Sequence, residues 1–282
     1  MIRICHTLWK SAIAPGPFVM LGATALAFLI ALMLAAPWLA PHDPLVVQMA
    51  DRLQPPSLTY PLGTDHMGRC VLSRLLLGMQ STLGVALLVM VTVALIGVPL
   101  GMLSGYIGGR LDSFLMRVLD GAGALPEFVV AIATAGFLGP SLGNLLVAIV
   151  WVKWIGYART ARGVVLSERK KEYIQAAQTA GSGTWTVLRR HLVRQVLSPV
   201  LVIGALDVGK IMLIISMMSY LGLGAQPPAP EWGAMLNEGR PYFQTEPQLM
   251  LYPGLAICLA AACFNLIGEG LRDRLDKRGG LR

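Results

Sequence analysis

The sequence predicts an all-α integral membrane protein with six transmembrane helices. Three observations carry that expectation. The chain is 55% hydrophobic and only 13% charged, whereas soluble domains are about a quarter charged. It contains six apolar runs near the roughly 20 residues that a bilayer crossing needs. Its basic residues fall in the segments that a six-span count puts on one face, the pattern of cytoplasmic loops. The net charge of +8 therefore points to a membrane surface and lipid headgroups, not to nucleic acid.

The first run, Phe18–Ala40, has a basic start and an Ala-rich end like a signal peptide. It exceeds the 7–15-residue apolar core of such peptides, so an uncleaved helix is expected. Residues 1–40 thus comprise a cytoplasmic tail with Arg3 and Lys10 and the first span. Residues 41–80 form the longest external segment. Its prolines (Pro41, Pro44, Pro55, Pro56, Pro61) predict an extended start. From about Gly68, Val71, Leu72, Leu75 and Leu76 share one face, with Arg69 and Arg74 elsewhere, which reads as an interfacial helix.

The second span, Thr82–Tyr106, carries Gly97, Gly101 and Gly105 at four-residue spacing, a pattern that lets helices approach closely in lipid. The third, Phe114–Phe137, contains Arg117, Asp120, Pro126 and Glu127, so it faces protein or a water-filled cavity and kinks at Pro126. The fourth, Leu142–Tyr157, is short. The fifth and sixth are Leu197–Leu223 and Leu249–Leu271, and a basic tail, 272–282, follows. Arg110, the loop from Thr160 to Arg194 and the tail carry most of the cations, so both termini are expected in the cytoplasm. Cys5, Cys70, Cys258 and Cys263 are too scattered for a bridge framework or a metal cluster.

The Thr160–Arg194 loop is the largest polar insertion on its side. Ser167 is a candidate N-cap, with Glu168 in the first turn. Gly181 and Gly183 end the helix, and a second one runs from Thr184 to about Val196. Ala176, Ala177, Ala180 and Gly181 leave a bare backbone ridge, suited to a groove on a partner protein that pushes on the membrane part.

Tyr173-Ile174-Gln175-Ala176-Ala177-Gln178-Thr179-Ala180-Gly181 resembles the EAA loop of ABC importer permeases. Leu62-Gly63-Thr64-Asp65-His66-Met67-Gly68-Arg69 resembles the LGTD signature of the second permease in dipeptide, oligopeptide and nickel importers. Leu125-Pro126, Gly139-Pro140-Ser141-Leu142, Tyr157-Ala158-Arg159, Tyr220-Leu221-Gly222-Leu223-Gly224, Glu231-Trp232-Gly233 and Phe264-Asn265-Leu266-Ile267-Gly268 follow in family order across residues 60–276. The resemblance implies a type I ABC importer permease fold in a bacterial inner membrane, with a five-helix core over 81–271. It implies a second homologous permease, two ATPase subunits and an extracytoplasmic solute-binding protein as partners. ATP and Mg would be bound by the ATPases, so no cofactor is expected in this chain. Gln175, Ala176, Ala177 and Gly181 are the implied ATPase-coupling residues. The chain departs from the family in having Gln175 where Glu is usual, and Leu192-Val193-Arg194 in place of Ile-Leu-Pro.

Within that family, His66, Leu206-Asp207-Val208-Gly209 and the run from Glu231 to Pro253 look most like a nickel-type permease, with an opine-type metallophore complex as a related cargo and peptides as the alternative. Asp65 and His66 are candidates at the outer mouth. Asp207 and Lys210 lie three apart on span five, so they either pair or line a cavity. Met212, Met217 and Met218 suit soft metals or plain packing. Met217 and Glu127 join Asp207 and Lys210 as candidate pathway residues, and none forms a convincing metal site. The spans hold no His-Glu-x-x-His, and the chain has no phosphate-binding Gly-x-x-x-x-Gly-Lys-Ser/Thr loop, so an enzyme is not expected. An ATP-independent channel or carrier is the remote alternative, and it has no need of the bare inner ridge.

Overall fold

Long apolar stretches have only one way to satisfy their backbone in lipid, and that is to coil. The computed structural model describes residues 17–279, with side chains over 20–273. Among these the protein is helical, with one isolated bridge between Thr64 and Cys70. The helices are α1 (Pro17–Leu39), α2 (Val71–Ile107), α3 (Gly109–Gly123), α4 (Glu127–Leu138), α5 (Leu142–Glu168), α6 (Glu172–Thr179), α7 (Thr184–Tyr220), α8 (Trp232–Gly239) and α9 (Gln248–Gly279). The expectations at Arg3, Cys5, Lys10, Arg274, Lys277, Arg278 and Arg282 lie outside the described side chains. Cys70, Cys258 and Cys263 are free.

Four helices are long and apolar enough to cross a membrane: α1, α2, α7 and α9. The expected third span is a bent pair. α3 and α4 meet at 82° across Pro126, and count as a fifth crossing if taken together. Proline removes an N–H and excludes the helical conformation from the residue before it, which explains the break. The expected fourth span sits inside α5, which continues to Glu168 and carries Lys153, Arg159 and Arg162. Those charges keep it out of the simple hydropathic set.

Packing is organised around α2 and α5. A Cβ at Gly97 would stand 2.5 Å from the Trp154 carbonyl oxygen, and one at Gly101 would stand closer still to that of Ala158. At Gly105 the nearest atom would be the Arg162 carbonyl oxygen, at 3.0 Å. The glycine ladder thus lays one backbone directly on the other. Below the ladder Arg162 grips Asp112 of α3 with two hydrogen bonds of 2.5 and 2.6 Å, and Ser104 of α2 donates to the same carboxylate. The continuous core runs between α2, α5, α7 and α9 through Leu83, Val89, Leu145, Ile149, Ile211, Ile215 and Phe264. Large apolar side chains cover the outside, among them Leu95, Phe137, Trp151 and Leu259, as lipid contact requires.

Three local expectations need correction. The separate interfacial helix near Gly68 is the first turns of α2, which starts at Val71 without a break. Ser167 is no N-cap, because α5 passes through it; α6 starts after Lys171. The helix opening at Thr184 does not stop near Val196. It continues through a π-helical stretch, Val187–Leu192, into the membrane run and ends at Tyr220. Arg194 keeps the backbone N–H that a proline would lack, and the helix continues through it.

Replacing Gly101 with leucine should force α2 off α5. The expected cost is about 1–3 kcal/mol, read as a lower thermal midpoint of the detergent-purified protein. An unchanged midpoint would show that the glycine ladder is incidental.

Candidate functional site

Charged and bare-backbone features concentrate at three levels. At one end of α2, residues 62–70 fold into a tight loop. The Asp65 carboxylate accepts from the backbone N–H groups of Met67 (2.8 Å) and Arg69 (3.0 Å). Gly68 turns the chain at φ 76°, and its missing Cβ makes room for the Gln48 carbonyl. The loop delivers Arg69 inward, where its Nε meets Asp65 at 2.7 Å and its Nη2 meets Glu238 of α8 at 2.6 Å. Arg74 of α2 meets the same Glu238 oxygen at 2.9 Å and Asp65 at 3.5 Å. Both arginines are 1% exposed.

Asp65, His66 and Glu238 bring ligand-type atoms within 4.8 Å of one another beside a cavity of about 20 Å³. As a cation site they fit poorly. The two carboxylates are already balanced by two guanidinium groups, so an added dication would displace existing ion pairs. His66 stacks on Tyr242 at 5.5 Å. Burial pushes its imidazole below the usual pKa, against the pull of Asp65 and Glu238. The quartet reads chemically as a lock between the 62–70 loop, α2 and α8.

α8 is fastened independently. Glu231 is fully buried and caps the helix, accepting from Gly233 N (3.0 Å) and Ala234 N (2.8 Å), while Thr82 Oγ1 donates to it at 2.9 Å. Trp232 donates its indole N–H to the Leu75 carbonyl at 2.9 Å. Gly233 lies against the Ser216 backbone of α7, where a side chain has no room.

Midway along the bundle, Lys153 of α5 sits between two carboxylates. Its Nζ is 2.9 Å from Glu127 of α4 and 3.5 Å from Asp207 of α7. Lys153 is 9% exposed, whereas Glu127 keeps 44% of its side chain open. The structure therefore joins Glu127 and Asp207 through a residue that the sequence reading did not single out. Its signal was a lone cation inside the apolar run Leu142–Tyr157. Lys210 does not pair with Asp207; it is exposed and has no ion-pair partner among the described residues. Met212 and Met218 are core residues, while Met217 is 52% exposed. Asp120 pairs with Arg159 at 2.8 Å rather than with Arg117.

At the far end of α2, α6 forms the expected knob. Ile174 is its fully buried anchor, packed among Val187, Leu188 and Leu192. Gln178 ties it to Tyr106 at 2.9 Å. Gly181 (φ 84°) closes it: Ser182 N donates to Ala177 O at 3.0 Å and Gly181 N to Gln178 O at 2.9 Å, the Schellman pattern. Gln175, Ala176, Ala180 and Gly181 are exposed and Ala177 is half-buried. Gln175 donates to Lys170 O at 3.2 Å, so its amide serves the local turn. The Asp65 loop and the α6 knob thus stand at opposite ends of a 37-residue helix, about 55 Å apart along its axis.

Substituting Glu238 with glutamine should strand two buried guanidinium groups. A loss of about 3–5 kcal/mol is expected, seen as a large drop in thermal midpoint or in folded yield. Wild-type stability would show that Asp65 alone satisfies both arginines.

Residues 97–279 match the family described as the binding-protein-dependent transport system inner membrane component. The chain is 40% identical over 264 residues, 94% of its length and 89% of the relative's, to the probable D,D-dipeptide transport system permease protein DdpC of Escherichia coli K12. It is 38% identical to the nickel transport system permease protein NikC of the same strain, covering 92% of this chain and 93% of that one. It is also 38% identical to the glutathione transport system permease protein GsiD of Pectobacterium atrosepticum, covering 95% and 87%. An inward-facing crystal structure of the MetNI methionine ABC transporter shares the fold, with a TM-score of 0.56 at 16% identity over 71% of this chain and 95% of that one.

Proposed function

The chain belongs to the binding-protein-dependent transport system inner membrane component family, as a permease of the peptide and nickel group of ABC importers, and from that premise we propose that it forms half of a pathway for nickel carried as a chelate of a small amino-acid-derived metallophore. The observation that carries the reading is Lys153 held between Glu127 and Asp207. Charges inside a bundle face protein or a wet cavity. One ammonium and two carboxylates offer both signs to a cargo that itself bears amines and carboxylates. Peptide import is the second reading. It shares that chemistry and is favoured by the 40% identity to the D,D-dipeptide permease.

In this reading the second permease is a homologue that covers the face bearing Glu127, Lys210 and Met217. α1, α2, the α3–α4 pair, α5, α7 and α9 make six crossings, with both termini in the cytoplasm. That orientation follows from the cations between Arg159 and Arg194. α6 docks into an ATPase subunit through Gln175, Ala176, Ala177 and Gly181. Its buried Ile174 and closed C-terminus support this, because they make it a rigid knob. ATP and Mg stay with the two ATPases. The Asp65–His66 loop faces the extracytoplasmic solute-binding protein. ATPase closure then rocks the packed helices about the central cavity.

Cells expressing the complete transporter should take up labelled nickel only when an opine-type chelator is added. Uptake of labelled dipeptides with no chelator-dependent nickel uptake would overturn the metallophore reading in favour of peptides. Ala177→Trp should lower ATP-driven uptake by about tenfold, the scale of one lost docking anchor, with the amount of assembled protein unchanged. Full uptake by that variant would remove α6 from the coupling path. Asp207→Asn should reduce uptake in an assembled complex; unchanged uptake removes Asp207 from the pathway.

A further inference from the structure

A second concavity of the protein lies apart from Glu127, Lys153 and Asp207. It is a groove of about 480 Å³ between the outer faces of α2 and α7, running from Leu95 and Met102 on one wall to Leu197 and Leu201 on the other. Its walls are apolar along nearly their whole length. The end nearest α6 is different: there it is lined by Trp185 and Arg189. From Trp185 to Leu201 the groove follows α7 for about 24 Å, roughly one leaflet.

Trp185, Arg189, Val193, Leu197 and Leu201 all line it, at steps of four. In an ordinary α-helix such a row drifts by about 40° per step. The π-helical stretch Val187–Leu192 widens one turn and restores the alignment. The π-turn therefore brings a cation into line with an otherwise apolar trough. Arg189, Arg190 and Arg194 are exposed, and none has an ion-pair partner among the described residues.

We infer that this groove binds an anionic phospholipid, with an acyl chain between α2 and α7 and its phosphate on Arg189. Charge complementarity selects this occupant. An apolar helix of another subunit would fill the trough and leave Arg189 unanswered, whereas a phosphate satisfies it at headgroup level, where Trp and Arg are at home. The inference requires only that the chain spans a membrane, and it is independent of the cargo.

The test uses the assembled transporter in nanodiscs of phosphatidylcholine and phosphatidylglycerol in equal parts, re-extracted into detergent, with retained lipid measured by mass spectrometry. Wild-type protein should hold phosphatidylglycerol over phosphatidylcholine by about fivefold. Arg189→Gln should abolish that preference, and Ala94→Phe, which fills the trough, should lower total retained lipid. Equal retention of both lipids by the wild type, or a preference untouched by Arg189→Gln, overturns the inference. A photo-crosslinker at exposed Leu95 decides independently of those variants: adducts to phospholipid support the site, and adducts to another subunit overturn it.

Discussion

Backbone contact between α2 and α5 is the constraint on which the rest of the structure depends. Three glycines in register let one helix lie on the carbonyls of the other. Once that contact is made, α5 has only one rotation available. Lys153 is then directed at α4 and α7, and Arg162 at α3. The same contact sets the distance between the two ends of the molecule, because the 62–70 loop starts α2 and the α6 knob is tied to its last turn through Tyr106. In lipid no hydrophobic drive brings helices together, so close packing and interhelical polar bonds must do so. The protein uses both, in separate layers.

The charged groups form local, almost complete circuits. The Asp65 quartet is neutral, the Arg162–Asp112 pair is neutral, and the Lys153 group carries one carboxylate in excess. That excess lies at the most open of the three places, where Glu127 is half exposed. Structural charge is thus sealed, and unbalanced charge is left where a solute could meet it.

Much of this was legible from residue order alone. Apolar runs marked the helices, the glycine spacing marked the α2 contact, Pro126 marked the bend, and Gly181 marked the end of the knob. What escaped has a common cause. The apolar run of α5 ends at Tyr157, yet the helix continues to Glu168, and Asp120 and Asp112, far away in sequence, pair with its Arg159 and Arg162. Spacing put Asp207 and Lys210 on one helix face, to pair or to line a cavity, but the cation that meets Asp207 comes from another helix. Arg69 and Arg74 stood off the apolar face, with nothing along the chain to point to α8. Their partner, Glu238, lies 164 residues beyond Arg74. Propensity and periodicity see along one helix, and these pairings run between helices. Glu231-Trp232-Gly233 shows the converse: the motif was plain, and only the structure gives it a physical meaning as cap, anchor and close approach.

The buried quartet also shapes how such a chain can change over generations. Removing any one member strands a charge in a dry place, whereas exchanging all four for apolar side chains is often neutral. The viable alternatives are therefore separated by several unfit intermediates. Drift that edits lone surface positions freely cannot cross that valley in single steps, so the arrangement endures as a frozen historical choice whether or not it is the best one.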